Sequence, residues 1–137
     1  MQSQAAIAAL TSLTAYDETA YGANLELARL LEEAGNVQGA VDALERAVWI
    51  FPYDMAPHEK LAELSSGLGD HETAVRERRA IVGLAPTDMA NARYQLALAL
   101  FEAGDREAAR VEVLQALEIA PGFSEAQDLL LRLHEST

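Results

Sequence analysis

Residues 27–52 read LARLLEEAGNVQGAVDALERAVWIFP, and the spacing of residue types in this stretch returns twice further along the chain. Five columns recur with a step of 34 and then 35 residues, a period typical of stacked helical repeats. The columns are a leucine-alanine pair (Leu27-Ala28, Leu61-Ala62, Leu96-Ala97), a glycine (Gly35, Gly69, Gly104), an alanine (Ala40, Ala74, Ala109) and a proline (Pro52, Pro86, Pro121). The chain therefore contains three copies of one structural unit.

Each column has a physical reason that predicts a helix-turn-helix unit. The glycines precede Asn36, Asp70 and Asp105, so each pair ends one helix and caps the next. The alanines let two antiparallel helices approach, and the proline ends the second helix. The extra residue of the longer step is expected in the turn at residues 87–91. The predicted helices are 3–15, 19–34, 37–51, 56–68, 71–84, 88–103, 106–119 and 124–135, the last with Ser124 as N-cap.

These columns resemble the tetratricopeptide repeat family over residues 21–123. The resemblance implies an all-α, right-handed α-solenoid in a single domain, 1–137. Its predicted parts are repeats at 21–54, 55–88 and 90–123, a degenerate half-repeat helix at 3–15 and a capping helix at 124–135. The family has a tryptophan early in the first helix of each repeat. The corresponding positions here hold Asn24, His58 and Arg93, so this sequence departs from the family pattern there. The middle repeat departs most, with Arg78 at an aromatic position and Ile81 at a small one, so we expect its two helices to pack less closely.

The N-terminal helix has an unusual composition, because residues 1–16 contain no charged side chain. Two interpretations stay open: this helix docks onto the first repeat, or its bare face meets an upstream part of a longer protein or a second copy through residues 3–16. We expect the chain to be a C-terminal fragment of a larger protein.

Composition narrows the classes of partner. The formal net charge is −12, and the few cations are scattered among glutamates, so the sequence does not predict nucleic-acid binding. No apolar run is long enough for membrane insertion, and the absence of cysteine excludes disulfides. The compartment stays open between cytoplasmic and, for a trimmed mature fragment, bacterial periplasmic.

The sequence contains no complete catalytic or metal-binding motif. Each histidine precedes a glutamate (His58, His71 and His134), but none has the second histidine that an H-E-x-x-H zinc site needs. His58 and His71 are therefore predicted to be solvated first-turn residues. No nucleophile elbow or phosphate-binding loop is present. We expect no catalytic residue, metal or cofactor, and we predict that the chain is not an enzyme.

The family resemblance also implies a concave groove lined by the first helix of each repeat. The predicted groove residues are Leu25, Glu26, Arg29, Glu59, Lys60, Glu63, Asn91, Tyr94, Gln95 and Leu98. The cation set with which chaperone-binding members grip a terminal carboxylate is missing here. A protein or peptide partner is therefore expected to be basic or apolar rather than acidic.

A second candidate interface is aromatic and consists of Trp49, Phe51 and Tyr53. Trp49 and Phe51 stand at positions that hold Gly83 and Ala85 in the next repeat. Either residues 3–16 cover these rings within the chain or the rings bind a partner. The sequence as a whole predicts a protein-protein interaction module. The alternatives are a self-assembling scaffold and an accessory domain of a larger, possibly enzymatic, protein.

Overall fold

A computed structural model describes residues 2–17 and 20–135 of the chain. These residues form eight α-helices and no β-strand, so the predicted all-α class is confirmed. The predicted start of one helix at residue 19 lies outside the described residues. The helices are α1 (Gln2–Tyr16), α2 (Tyr21–Glu33), α3 (Val37–Ile50), α4 (Met55–Gly67), α5 (His71–Gly83), α6 (Met89–Glu102), α7 (Arg106–Ile119) and α8 (Ser124–Glu135).

The turn after the first helix of each repeat follows the predicted chemistry. Gly35 has a φ of +84°, a left-handed conformation that glycine adopts without a steric penalty, and the other two turn glycines are similar. The following Asn36 accepts a hydrogen bond from the backbone N–H of Gly39 at 2.9 Å. Asp70 and Asp105 cap α5 and α7 in the same way. Each cap satisfies a backbone donor that the helix itself leaves unpaired.

The chain divides into two compact units, Met1–Leu68 and Gly69–Thr137. The division falls inside the predicted second repeat, between α4 and α5, and the prediction of a single domain stays a prediction. In the first unit, α2 and α3 bury a core to which α1 adds Ile7 and Leu10. The buried core residues of this unit are Leu27, Ala28, Ala40, Val41, Ala43, Leu44, Val48 and Leu61.

The core of the second unit joins α6, α7 and α8. Ala97 and Ala109, the small residues predicted to allow close helix approach, are both fully buried. From α8, the buried residues are Ala126, Leu129 and Leu133. Helix α8 thus buries one apolar face in this core, and its role as a capping helix stays a prediction.

The linker between α5 and α6 (84–88) has five residues and the linker between α3 and α4 (51–54) has four, so the predicted position of the extra residue, 87–91, spans the end of the longer linker and the start of α6. One local prediction needs correction. Ser124 is not an N-cap, because it is the first residue of α8 and its hydroxyl bonds Glu125 at 3.3 Å.

Polar side chains fill the column that holds tryptophan in the resembling family. Asn24 is buried and accepts a hydrogen bond from Arg46 Nε of α3 at 2.9 Å. Arg93 pairs with Glu112 of α7 at 2.8 Å. His58 is 4 % exposed, and one ring nitrogen lies 2.7 Å from the carbonyl oxygen of Pro52, so the prediction of a solvated His58 was wrong. Within each unit these polar contacts connect neighbouring elements where the family uses an aromatic ring.

Candidate protein-interaction surfaces

The predicted groove side chains of the first unit lie on α2 and α4 and are mostly exposed. Arg29 donates hydrogen bonds to Glu26 and to Glu33, the latter at 2.7 Å. The hydrogen bond from Arg29 lowers the pKa of Glu26 below its ordinary value, so this carboxylate is charged at neutral pH. The guanidinium is therefore already neutralised by two carboxylates of its own helix.

Lys60 is the second cation of this face, and its ammonium group is also already paired with carboxylates. Its Nζ lies 3.4 Å from Glu32 of α2 and 3.7 Å from Glu63 of α4. Exposed ion pairs of this kind contribute little to stability. They do lower the attraction that this cation offers to an acidic ligand. Glu59, the remaining groove residue of α4, is exposed.

The aromatic side chains of the first unit form an exposed ridge, which we define as Tyr21, Phe51 and Tyr53. The Tyr21 and Phe51 ring centroids are 5.4 Å apart, and those of Phe51 and Tyr53 are 5.5 Å apart. Phe51 is 43 % exposed and Tyr53 71 % exposed. Aromatic pairs at these distances hold each other in place and still offer their faces to a ligand.

Trp49 lies outside this ridge and is 88 % exposed. It borders an open depression of about 510 Å³ together with Thr14 of α1 and Glu45, Arg46 and Ile50 of α3. The interpretation in which residues 3–16 cover Trp49 within the chain is therefore wrong. Helix α1 packs on the core through Ile7 and Leu10 and leaves the indole in solvent.

The predicted groove residues of the second unit are more deeply packed, apart from the exposed Asn91. The Tyr94 ring lies 4.9 Å from Phe123, and Leu98 packs against the core of α6, α7 and α8. Burial raises the pKa of Tyr94, and the charge of Glu125 adds to this effect, so the hydroxyl keeps its proton at neutral pH. Gln95 is half-buried beside these residues.

His71 and Glu102 are a further pair of titratable residues. His71 is half-buried, with Nδ1 3.7 Å from Glu102. In the part of the chain that the structure describes, no group of three or more histidine, aspartate or glutamate side chains is arranged to hold a metal ion. Over the same residues, no helix combines the length and the apolar character needed to cross a membrane.

The repeat geometry agrees with a comparison of the sequence with family models. The tetratricopeptide repeat model matches residues 2–57 and 60–124. This chain belongs to the tetratricopeptide repeat family. Its all-α helical-repeat fold and its resemblance to that family are thereby confirmed. Comparison with curated protein sequences gives no significant match.

Solved structures with tetratricopeptide folds superpose on this chain. A crystal structure of MamA has a TM-score of 0.73 at 20 % identity, covering 95 % of this chain and 75 % of MamA. YrrB, described as a tetratricopeptide protein with an unusual peptide-binding site, has a TM-score of 0.76 at 18 % identity, covering 98 % and 69 %. The first tetratricopeptide domain of Spaghetti (RPAP3), bound to the HSP90 peptide SRMEEVD, has a TM-score of 0.67 at 19 % identity. The match covers 88 % of this chain and 94 % of the Spaghetti domain. At these identities the likeness establishes the fold.

In the first unit of this tetratricopeptide repeat protein, two residues of the predicted groove lie beside Tyr21, an aromatic residue that the predicted interface of Trp49, Phe51 and Tyr53 did not include. Leu25 and Lys60 of the predicted groove border the same open depression as Tyr21 of the aromatic ridge. Sequence reasoning treated groove and aromatic surface as separate. The signal that joins them is the position of Tyr21 one helical turn before Leu25, on the same face of α2.

Proposed function

We propose that this chain is a non-catalytic protein-interaction module that binds a basic or apolar segment of a partner protein, chiefly through its first unit. The observation that carries the proposal is the exposure of Trp49. This residue is the single tryptophan of the chain, and 88 % of its surface is accessible to solvent. Tryptophan and tyrosine dominate the binding energy of protein interfaces because they bury a large area at low entropic cost. The predicted groove residues belong to the same proposal, each set as contacts of its own unit: Leu25, Glu26, Arg29, Glu59, Lys60 and Glu63 in the first unit, and Asn91, Tyr94, Gln95 and Leu98 in the second.

The charge distribution supports a partner that is not acidic. Two domains of RPAP3 with this fold were solved with the peptides SRMEEVD and SGPTIEEVD, which both end in two glutamates, a valine and an aspartate. In this chain, Arg29 and Lys60 already pair with glutamates of the same unit. An acidic tail would have to displace those carboxylates and approach a chain of net charge −12.

The proposal is tested by selecting a random heptapeptide library on the intact chain and measuring the enriched peptides by calorimetry. We expect enrichment of arginine or lysine next to leucine or aromatic residues, with SRMEEVD binding at least about tenfold more weakly. Trp49→Ala should weaken the selected peptides, whereas the control Val111→Ala, at an exposed aliphatic position of the second unit, should not. Selection of acidic tails, or of no peptide at all, would overturn the proposal.

Self-association is a second candidate because of the composition of α1. This helix has no charged residue in any turn, and it exposes Leu13 (48 %) and Tyr16 (92 %). An uncharged exposed face of this kind is a typical contact between copies. Sedimentation at increasing concentration should detect oligomers that Leu13→Glu with Tyr16→Glu abolishes. A chain that stays monomeric at high micromolar concentration would exclude this candidate.

A further inference from the structure

The linker before α4 contains Asp54, which does not cap the following helix as Asp88 does one repeat later. Asp88, one repeat later, accepts a hydrogen bond from the backbone N–H of Asn91, three residues on, at 3.0 Å. Asp54 precedes α4 in the same way but makes no side-chain capping bond. The residue three positions after Asp54 is Pro57, and proline has no N–H to donate. Asp54 therefore lacks the backbone donor that Asp88 uses, and its carboxylate makes no capping bond to α4.

The carboxylate of Asp54 turns towards α2. The Tyr21 hydroxyl donates a hydrogen bond to Asp54 Oδ2 at 2.8 Å. Burial and the contact with Asp54 raise the pKa of Tyr21 to about 12, so the hydroxyl stays a donor at neutral pH. Because Tyr21 is also in ring contact with Phe51, this bond holds the carboxylate at the edge of the aromatic ridge.

An apolar depression lies directly beside this carboxylate. It has a volume of about 400 Å³ and is bordered by Leu25 of α2, Leu44 of α3 and Met55 of α4. Its two charged residues are Asp54 and Lys60. Lys60 is neutralised by glutamates, whereas the described partner of Asp54 is an uncharged hydroxyl. The unbalanced charge at the depression is therefore negative.

The polarity of α4 does not cancel this charge. A helix N-terminus carries roughly half a positive charge, whereas the carboxylate carries a full negative one. The site thus favours a cation, and the planar face of a ring favours a guanidinium over an ammonium, since a guanidinium can stack and pair with a carboxylate at once.

We propose that this depression is a subsite for an arginine side chain of the partner segment, with the apolar side chain next to that arginine filling the cavity. The arginine pairs with Asp54 and stacks on the ridge at Tyr21, which borders the same depression, and the neighbouring leucine, methionine or phenylalanine contacts Leu25 and Leu44. This subsite rests on the proposed function, which it refines from a basic or apolar segment to an arginine with an apolar neighbour.

The test uses the intact chain and two synthetic heptapeptides that differ in one group: one contains arginine-leucine between alanines, and the other replaces the arginine with citrulline. Citrulline keeps the shape of the arginine side chain and removes its charge. Chemical-shift titration should give a dissociation constant about tenfold lower for the arginine peptide, the size expected of a charge-assisted hydrogen bond. The amide signals of Tyr21 and Asp54 should show the largest chemical-shift changes.

Three variants separate the subsite from a general loss of structure. Asp54→Asn should reduce the preference for arginine over citrulline to about twofold while the citrulline peptide binds as before. Pro57→Ala restores the N–H and lets Asp54 cap α4, so the arginine preference should fall although no charge is removed. The matched control is Asp88→Asn, which should leave both peptides unaffected.

The outcomes distinguish this inference from the proposed function. If the arginine peptide binds with sensitivity to Trp49→Ala but not to Asp54→Asn, the subsite is overturned and the interaction module stands. If both peptides bind equally to the unchanged chain, the arginine preference is overturned. If neither peptide nor any selected peptide binds, the proposed function fails together with the subsite.

Discussion

Ala85 carries a local strain that a single substitution should release. Among the described residues it is the one non-glycine residue with a positive φ, at +56°. It precedes Pro86, which disfavours the right-handed helical conformation, and it follows Leu84, the C-cap of α5, which has φ −80°. The corresponding residues of the other two repeats, Phe51 and Ala120, have negative φ, −142° and −133°.

The magnitude follows from two opposing terms. An L-residue in the left-handed conformation costs about 1–2 kcal/mol relative to the right-handed one. A glycine costs about 0.5–1 kcal/mol more than alanine in entropy on folding. The difference between the two terms runs from about 0 to about 1.5 kcal/mol, so Ala85→Gly should stabilise the fold by about 0.7 kcal/mol. Ala103→Gly is the matched control, because Ala103 is also exposed and follows a helix but has φ −77°. It should destabilise by about 0.5–1 kcal/mol.

Urea unfolding followed by far-UV circular dichroism measures both variants, with equal m-values as the condition for comparing them. The entropy term is common to the two substitutions, so the difference between them isolates the left-handed penalty of about 1–2 kcal/mol. If Ala85→Gly destabilises the protein as much as Ala103→Gly does, the strain at Ala85 is absent and the reasoning is refuted.

Three further predictions concern packing, pH and solvent exposure. Ala40→Leu and Ala109→Leu should each cost about 1–3 kcal/mol in urea unfolding, because both alanines are fully buried and a larger side chain overpacks the helix pair. The pKa of Asp70 is lowered by the hydroxyl and backbone N–H of Thr73, so its stabilising effect is full above the unfolded pKa of about 3.9 and is lost as pH falls through the folded value. Asp70→Asn keeps the acceptor and should flatten the acid limb of stability against pH. Trp49 in dilute monomer should be quenched by the neutral quencher acrylamide nearly as readily as an indole in an unfolded peptide, and a protected, blue-shifted indole would contradict its exposure.

The parts of the fold that depend on local chemistry were predictable from the sequence. A cap at Asn36 or Asp105 needs only the N–H three residues later, and a left-handed turn needs only a glycine at that point. The helix boundaries follow because such signals bracket each helix.

The contacts that depend on tertiary packing were not predictable. Arg93 and Glu112 are 19 residues apart, and Tyr21 and Asp54 are 33 residues apart, so neither pairing is encoded in a local pattern. His58 looked solvated because it stands in a first helical turn, yet packing buries it against the Pro52 carbonyl. One signal was present in the sequence: a proline at the third position of α4 removes the backbone N–H that the capping aspartates of α5, α6 and α7 use.

The exposed tryptophan is explained by function better than by packing. The positions that correspond to Trp49 in the next two repeats are Gly83 and Glu118, and both are exposed. Because the equivalent positions hold a glycine in one repeat and a glutamate in the other, the helix pair does not need an indole at this position. An exposed tryptophan also makes a surface prone to association, so solubility alone would favour a residue such as glutamate. The proposed interface accounts for Trp49, since burying its ring against a partner recovers the free energy that the folded chain leaves in solvent.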